Sequence, residues 1–277
     1  MKKILFLLLV SSSVFAQSQK SCCSISSTEN FSLLASNEKF VASHLSPLPF
    51  VFNPAKGTMV TYKTEDGKTA NAFEVKADKP TSNWIIMVHE WWGLNDYIKQ
   101  EAEKLQGEVG NANVLAIDLY EGKVGTNPDE AKALMGAMKD ERTTSIIKGA
   151  ISHLGKYARV ATIGWCMGGG WSLQTAILSG TQAVACVMYY GMPETNMDKL
   201  KKLNAPVLGI FAKQDEWINP QVVETFQKNM KDAGKKLTVI SYDADHAFAN
   251  PSNPKFNKTA AADAHRDVLK FLKEYLK

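Results

Sequence analysis

The chain has 277 residues, of which 45% are hydrophobic and 22% charged, and a formal net charge of +4. That is enough apolar material for a full core, which excludes disorder over most of the length and collagen-like or coiled-coil character throughout. The basic residues are interspersed with acidic ones and include only three arginines, Arg142, Arg159 and Arg266, so nothing points to a nucleic-acid partner. Four cysteines are too few for a disulfide scaffold.

The chain opens with Lys2 and Lys3, an apolar run over residues 4–10, and small residues ending at Ala16. This is the pattern of a secretory signal peptide over residues 1–16, cleaved after Ala16, and it predicts an exported (periplasmic or secreted) protein. The run is too short to span a bilayer, which needs about 20 residues. Cys22 and Cys23 follow closely, but Lys20 puts a charge where a lipidation motif needs apolar and small residues. A soluble product with no membrane attachment after cleavage is therefore expected. The adjacent cysteines are compatible with a surface disulfide or with pairing to another chain.

Residues 17–56 are rich in Ser, Asn and Pro and read as an arm or linker, with one short helix near residues 31–40. From Gly57 onward the pattern changes. Residues 58–63 and 70–76 alternate around Glu65-Asp66-Gly67 and predict an antiparallel hairpin. Short continuous apolar runs follow at 84–88, 114–117, 160–163, 184–189 and 207–211, as expected for parallel strands buried on both faces. A more alternating run covers 237–242. Between them lie helical stretches at 95–106, 128–138, 144–157, 168–178, 220–232 and 259–276, with Pro128 and Pro220 at first-turn positions. The alternation predicts one α/β domain over residues 57–277, a mostly parallel central sheet with helices on both faces.

In such sheets chemistry collects where strands end and helices begin. Gly164-Trp165-Cys166-Met167-Gly168 has the spacing of a nucleophile elbow with sulfur in place of a serine hydroxyl. Asp215 and His246 follow later strands, in the chain order nucleophile, acid, histidine of the α/β-hydrolase triad. His246 would carry the proton and Asp215 would orient its ring. Glu216 and Asp245 are rival acids; Asp245 is discounted because a residue adjacent to the histidine rarely reaches its far ring nitrogen. Cys186 lies inside an apolar strand and reads as core. His44, His153 and His265 read as surface residues. His89-Glu90 begins like a zinc-protease motif, but position 93 is Gly, so no metal site is expected there. Trp91 and Met167 would instead offer backbone N–H groups to an oxyanion, with Glu90 pointing in beside the thiol.

Together, His89-Glu90-Trp91-Trp92-Gly93-Leu94-Asn95, Asp118-Leu119-Tyr120, the Cys166 elbow, Asp215 and His246-Ala247-Phe248 resemble the dienelactone hydrolase family. The resemblance implies a single α/β-hydrolase domain that needs no cofactor and cleaves esters or lactones, small-molecule substrates, through a Cys-Asp-His triad. It also implies that Glu90 is the carboxylate that holds the resting thiol, which ionises only when substrate displaces that contact. A neighbouring carboxylate disfavours a second negative charge, and a neutral thiol resists oxidation. The sequence departs from the family where the archetypal enzyme binds its substrate carboxylate with two arginines. Gly122 and Asn250 stand there, and only Lys123 is nearby, so dienelactone itself is not the expected natural substrate. Trp92, Tyr120, Lys123 and Phe248, with Trp91, Trp165 and Trp171, are candidates for a more aromatic pocket, each with ordinary packing as the alternative. The leading expectation is an exported small-ester hydrolase. The alternatives are a non-catalytic ligand-binding or scaffold protein that retains the fold, and a redox role that the absence of a nearby resolving cysteine weakens.

Overall fold

The computed structural model describes residues 27–277. The signal segment, its cleavage point after Ala16 and the Cys22-Cys23 pair lie outside the described residues.

Eight strands form one sheet: β1 (Thr58–Lys63), β2 (Thr69–Val75), β3 (Asn83–Val88), β4 (Asn113–Ile117), β5 (Arg159–Trp165), β6 (Ala183–Tyr189), β7 (Val207–Ala212) and β8 (Leu237–Tyr242). Their spatial order is β1-β2-β4-β3-β5-β6-β7-β8. The β1–β2 and β2–β4 pairs are antiparallel and all others parallel. β3, β4 and β7 are buried along their whole length, which is why they read as unbroken apolar runs. At the edges, β1 and β8 keep exposed positions.

Nine helices accompany the strands among the described residues: α1 (Ser27–Ala35), α2 (Glu38–Ser43), α3 (Asp96–Val109), α4 (Pro128–Ala137), α5 (Asp140–Leu154), α6 (Met167–Leu178), α7 (Met197–Leu200), α8 (Pro220–Asp232) and α9 (Lys258–Tyr275). Asn95, Asn127, Asn219 and Asn257 each accept a backbone N–H at a helix start, satisfying a donor the helix itself cannot. Helix α5 starts four residues before the apolar pattern does. Asp140 and Glu141 in its first turn favour the helix dipole, and Gly155 at φ 88° ends it.

The stretch read as an arm or linker contains two helices, not one, and is docked. Phe31 and Phe40 are fully buried in the main core, each worth about 2–3 kcal/mol of apolar burial. Here α1 packs on α4 and α6, and α2 on α4. Beyond them the chain straps across α3: Asp96 accepts the Phe52 N–H, and Glu103 accepts those of Ala55, Lys56 and Gly57. This fixes the end of α2 above the C-terminal edge of the sheet.

Candidate active site

At that edge, β5 runs into α6 through Cys166, whose φ of 54° and ψ of −119° lie where side chains are strained. The turn closes only because its neighbours lack side chains. A Cβ on Gly164 would run into the Gly168 carbonyl, and one on Gly168 into the carbonyls of Val88 and His89. Tyr190 and Ala247, at φ 35° and 58°, are strained at the adjoining strand ends.

The elbow presents Cys166 to His246, with Sγ 3.3 Å from Nε2. On the far side of the ring, Nδ1 lies 2.6 Å from Asp215 Oδ2, while Asp215 Oδ1 accepts the N–H groups of Trp217 and Ile218. Burial alone would raise the Asp215 carboxyl. The His246 ring and the two backbone donors outweigh it and hold the group below the ordinary carboxylate range. The same carboxylate, with the sulfur, holds His246 well above an ordinary histidine despite its burial. The Cys166 thiol is pushed up, first by burial and further by Glu90, against the pull of His246. The Met167 N–H is directed at the sulfur. The Trp91 N–H has no backbone partner among the described residues. Of the rival acids, neither Glu216 nor Asp245 touches the ring; Asp245 pairs with Lys255.

Glu90 is buried, and its Oε2 accepts a hydrogen bond from Asn250 Nδ2 at 2.6 Å, while the thiol is turned toward His246. Burial lifts the Glu90 carboxyl to about 7, against the opposing effects of His246 and Asn250. Between the free value of 4.5 and about 7 the folded state therefore holds more protons than the unfolded chain, so stability falls as pH rises through this window. At about 1.4 kcal/mol per pH unit the limit is on the order of 3 kcal/mol. Glu90→Gln, which cannot ionise, is expected to flatten that slope. Unfolding midpoints at pH 4.5 and pH 8 should differ less in the variant than in the parent. Equal slopes would place the titration elsewhere.

His89 is structural. Its Nδ1–H donates to the Glu90 carbonyl and its Nε2 accepts the Leu119 N–H, tying β3 to β4. Cys186 is core, against Ser172. Of the candidate pocket residues, Trp92 and Trp165 line a cavity of about 410 Å³ beside Glu90 and Asn250. Tyr120 and Phe248 are instead packed in the core, as are Trp91 and Trp171. Lys123 is exposed on the loop after β4 and borders neither this cavity nor the next. A second cavity, of about 230 Å³, opens on His246 but is not lined by Cys166 or Asp215. It is bordered by His246, Trp217 and the arm residues Lys39 and His44.

The position of His44 corrects the surface reading. It is 5% exposed, its ring centroid is 5.4 Å from that of His246 and 4.7 Å from that of Trp91, and its Nδ1–H donates to the Phe40 carbonyl. Burial, with His246 adding, lowers its pKa to about 3, so it is neutral. The available signal was the Phe40/His44 spacing of four, which puts both on one face of a short helical turn. His153 is exposed, as expected, beside Glu74, and His265 is half-buried beside Glu108.

A model of the dienelactone hydrolase family matches residues 70–276. The chain is similar to protein usf of Aquifex pyrophilus, 30% identical over 223 residues that cover 74% of this chain and 96% of that protein. It is also similar to a provisionally named carboxymethylenebutenolidase of Aquifex aeolicus, 28% identical over 224 residues, 75% of this chain and 96% of that one. A provisionally named dienelactone hydrolase from Klebsiella pneumoniae superposes with a TM-score of 0.67 at 24% identity, covering 79% of this chain and 100% of that structure.

Proposed function

The chain belongs to the dienelactone hydrolase family, which makes it a carboxylic ester hydrolase, and on that premise we propose that it is exported and cleaves small neutral esters or lactones through covalent catalysis on Cys166. The observation that carries this reading is the unbroken line from Asp215 through His246 to a sulfur held on a strained elbow. His246 Nε2 takes the thiol proton as Cys166 Sγ adds to the substrate carbonyl. The Trp91 and Met167 N–H groups receive the oxyanion. Collapse breaks the acyl C–O bond, and His246 returns its proton to the leaving oxygen. Water then adds to the thioester, again giving its proton to His246, and the sulfur departs to be reprotonated. In the resting enzyme burial keeps the thiol neutral, and Glu90, which bonds Asn250 and not the thiol, adds to this only in its ionised form, above about pH 7.

Neutral substrates are supported by where the arginines are. Arg142 is bound to Asp66 and Glu121, Arg159 to the carbonyls of Tyr275 and Lys277, and Arg266 to Asp263. Asn250, standing where the archetype has an arginine, is committed to Glu90. Without two charge-assisted contacts worth about 1.5–3 kcal/mol each, dienelactone should be turned over at least ~100-fold less efficiently than a neutral short-chain aryl ester. Steady-state kcat/KM on both substrates tests this; equal or better turnover of dienelactone contradicts it.

A further inference from the structure

His44 brings a third metal-competent donor to the triad. The ligand atoms of His44, Cys166 and His246 all lie within 4.8 Å of one another, and all three residues are buried. His44 Nε2 is fully buried and has no hydrogen-bond partner, an expensive state for a ring nitrogen unless something is to be received there. Both histidines are set as zinc-binding histidines are. His246 Nδ1 faces a carboxylate and His44 Nδ1 a backbone carbonyl, which leaves His246 Nε2 facing the sulfur and His44 Nε2 unpartnered as the free ligand atom.

We propose that His44, Cys166 and His246 bind one thiophilic divalent cation of the zinc type, and that its binding switches hydrolysis off. The donor set is one thiolate and two imidazoles, which suits zinc and disfavours magnesium or calcium. Tetrahedral zinc places neighbouring ligand atoms about 3.3–3.5 Å apart. His246 Nε2 and Cys166 Sγ are already at 3.3 Å, so only His44 must approach, by at most about 1.5 Å given the 4.8 Å limit. Binding forms a metal–sulfur bond and releases the thiol proton to solvent. It occupies the sulfur lone pair and the His246 nitrogen together, and the fourth position is left to water. The His89-Glu90 pair takes no part. The inhibitory consequence rests on Cys166 being the nucleophile; the binding does not.

The test uses the full mature chain, metal-free, titrated with zinc alone against a chromophoric chelator, and with cobalt followed by absorbance. One zinc per chain is expected, with a thiolate-to-cobalt charge-transfer band and tetrahedral d–d bands, and with about 100-fold or greater loss of affinity in His44→Gln. Magnesium should neither compete nor inhibit. No binding in the parent chain, or equal affinity in His44→Gln, overturns the proposal. Should His44→Gln not fold, the parent's cobalt spectrum decides, and a weak octahedral spectrum overturns the site. Should cobalt bind through Cys166 and His44 while ester turnover persists, the switch is overturned, and that result also counts against Cys166 as nucleophile. Absent binding in an enzyme that Cys166→Ala inactivates rejects the site alone.

Discussion

Cys166→Ala is expected to lower kcat/KM on small activated esters by about 10⁴-fold or more, because covalent catalysis has no substitute group at the elbow. The fold should remain. Alanine keeps the Cβ that the turn already tolerates at φ 54°, and the lost sulfur is one atom in a site that is 1% exposed. A change in unfolding free energy of no more than about 2 kcal/mol is expected. Cys166→Gly should be as inactive but more stable than Cys166→Ala, because glycine relieves a backbone strain of about 1–3 kcal/mol. An inactive variant that also fails to fold says nothing about chemistry, so circular dichroism and thermal melts accompany the rates. Inactive Cys166→Ala with parental melting behaviour is the expected pair of results.

Asp215→Asn is expected to cost about 10³–10⁴-fold in kcat/KM, with little effect on stability, for a reason that the hydrogen bonds dictate. Oδ1 accepts two backbone N–H groups, so that position must stay an oxygen in the amide. The new NH₂ then falls where Oδ2 now faces His246 Nδ1. It donates to Nδ1 and forces the ring proton onto Nε2, which can no longer accept the thiol proton. Parental kcat/KM in this variant contradicts the assigned relay. A large fall on Glu216→Gln or Asp245→Asn instead reassigns the acid.

The central strands and the meeting of Cys166, His246 and Asp215 were legible because each rests on a strong local rule. Buried parallel strands read as unbroken apolar runs, and the elbow requires small residues at fixed offsets, here Gly164 and Gly168, whose missing side chains make room for backbone. The hairpin was legible from the turn at Gly67, at φ 78°. The start of α5 was missed because its first turn is charged and carries no apolar period. The docked arm was missed for a related reason. Phe31 and Phe40 are two anchors separated by a helix break, Phe31 packing at Gly170 of α6 and Phe40 against Trp91 and Trp217, a tertiary surface that no local period encodes. With the arm went His44, whose place beside His246 depends on that docking. The pocket was read too widely. Aromatic residues near a strand end either line a cavity, as Trp92 and Trp165 do, or fill the core beneath it, as Tyr120 and Phe248 do, and sequence spacing does not separate the two.

The most direct test of the covalent account is mass spectrometry of the enzyme quenched during turnover of a slowly deacylated activated ester. The account predicts one acyl group per chain, carried by the peptide containing Cys166 and absent from Cys166→Ala. Full turnover with no acyl group on that peptide, or with the label on another residue, contradicts it.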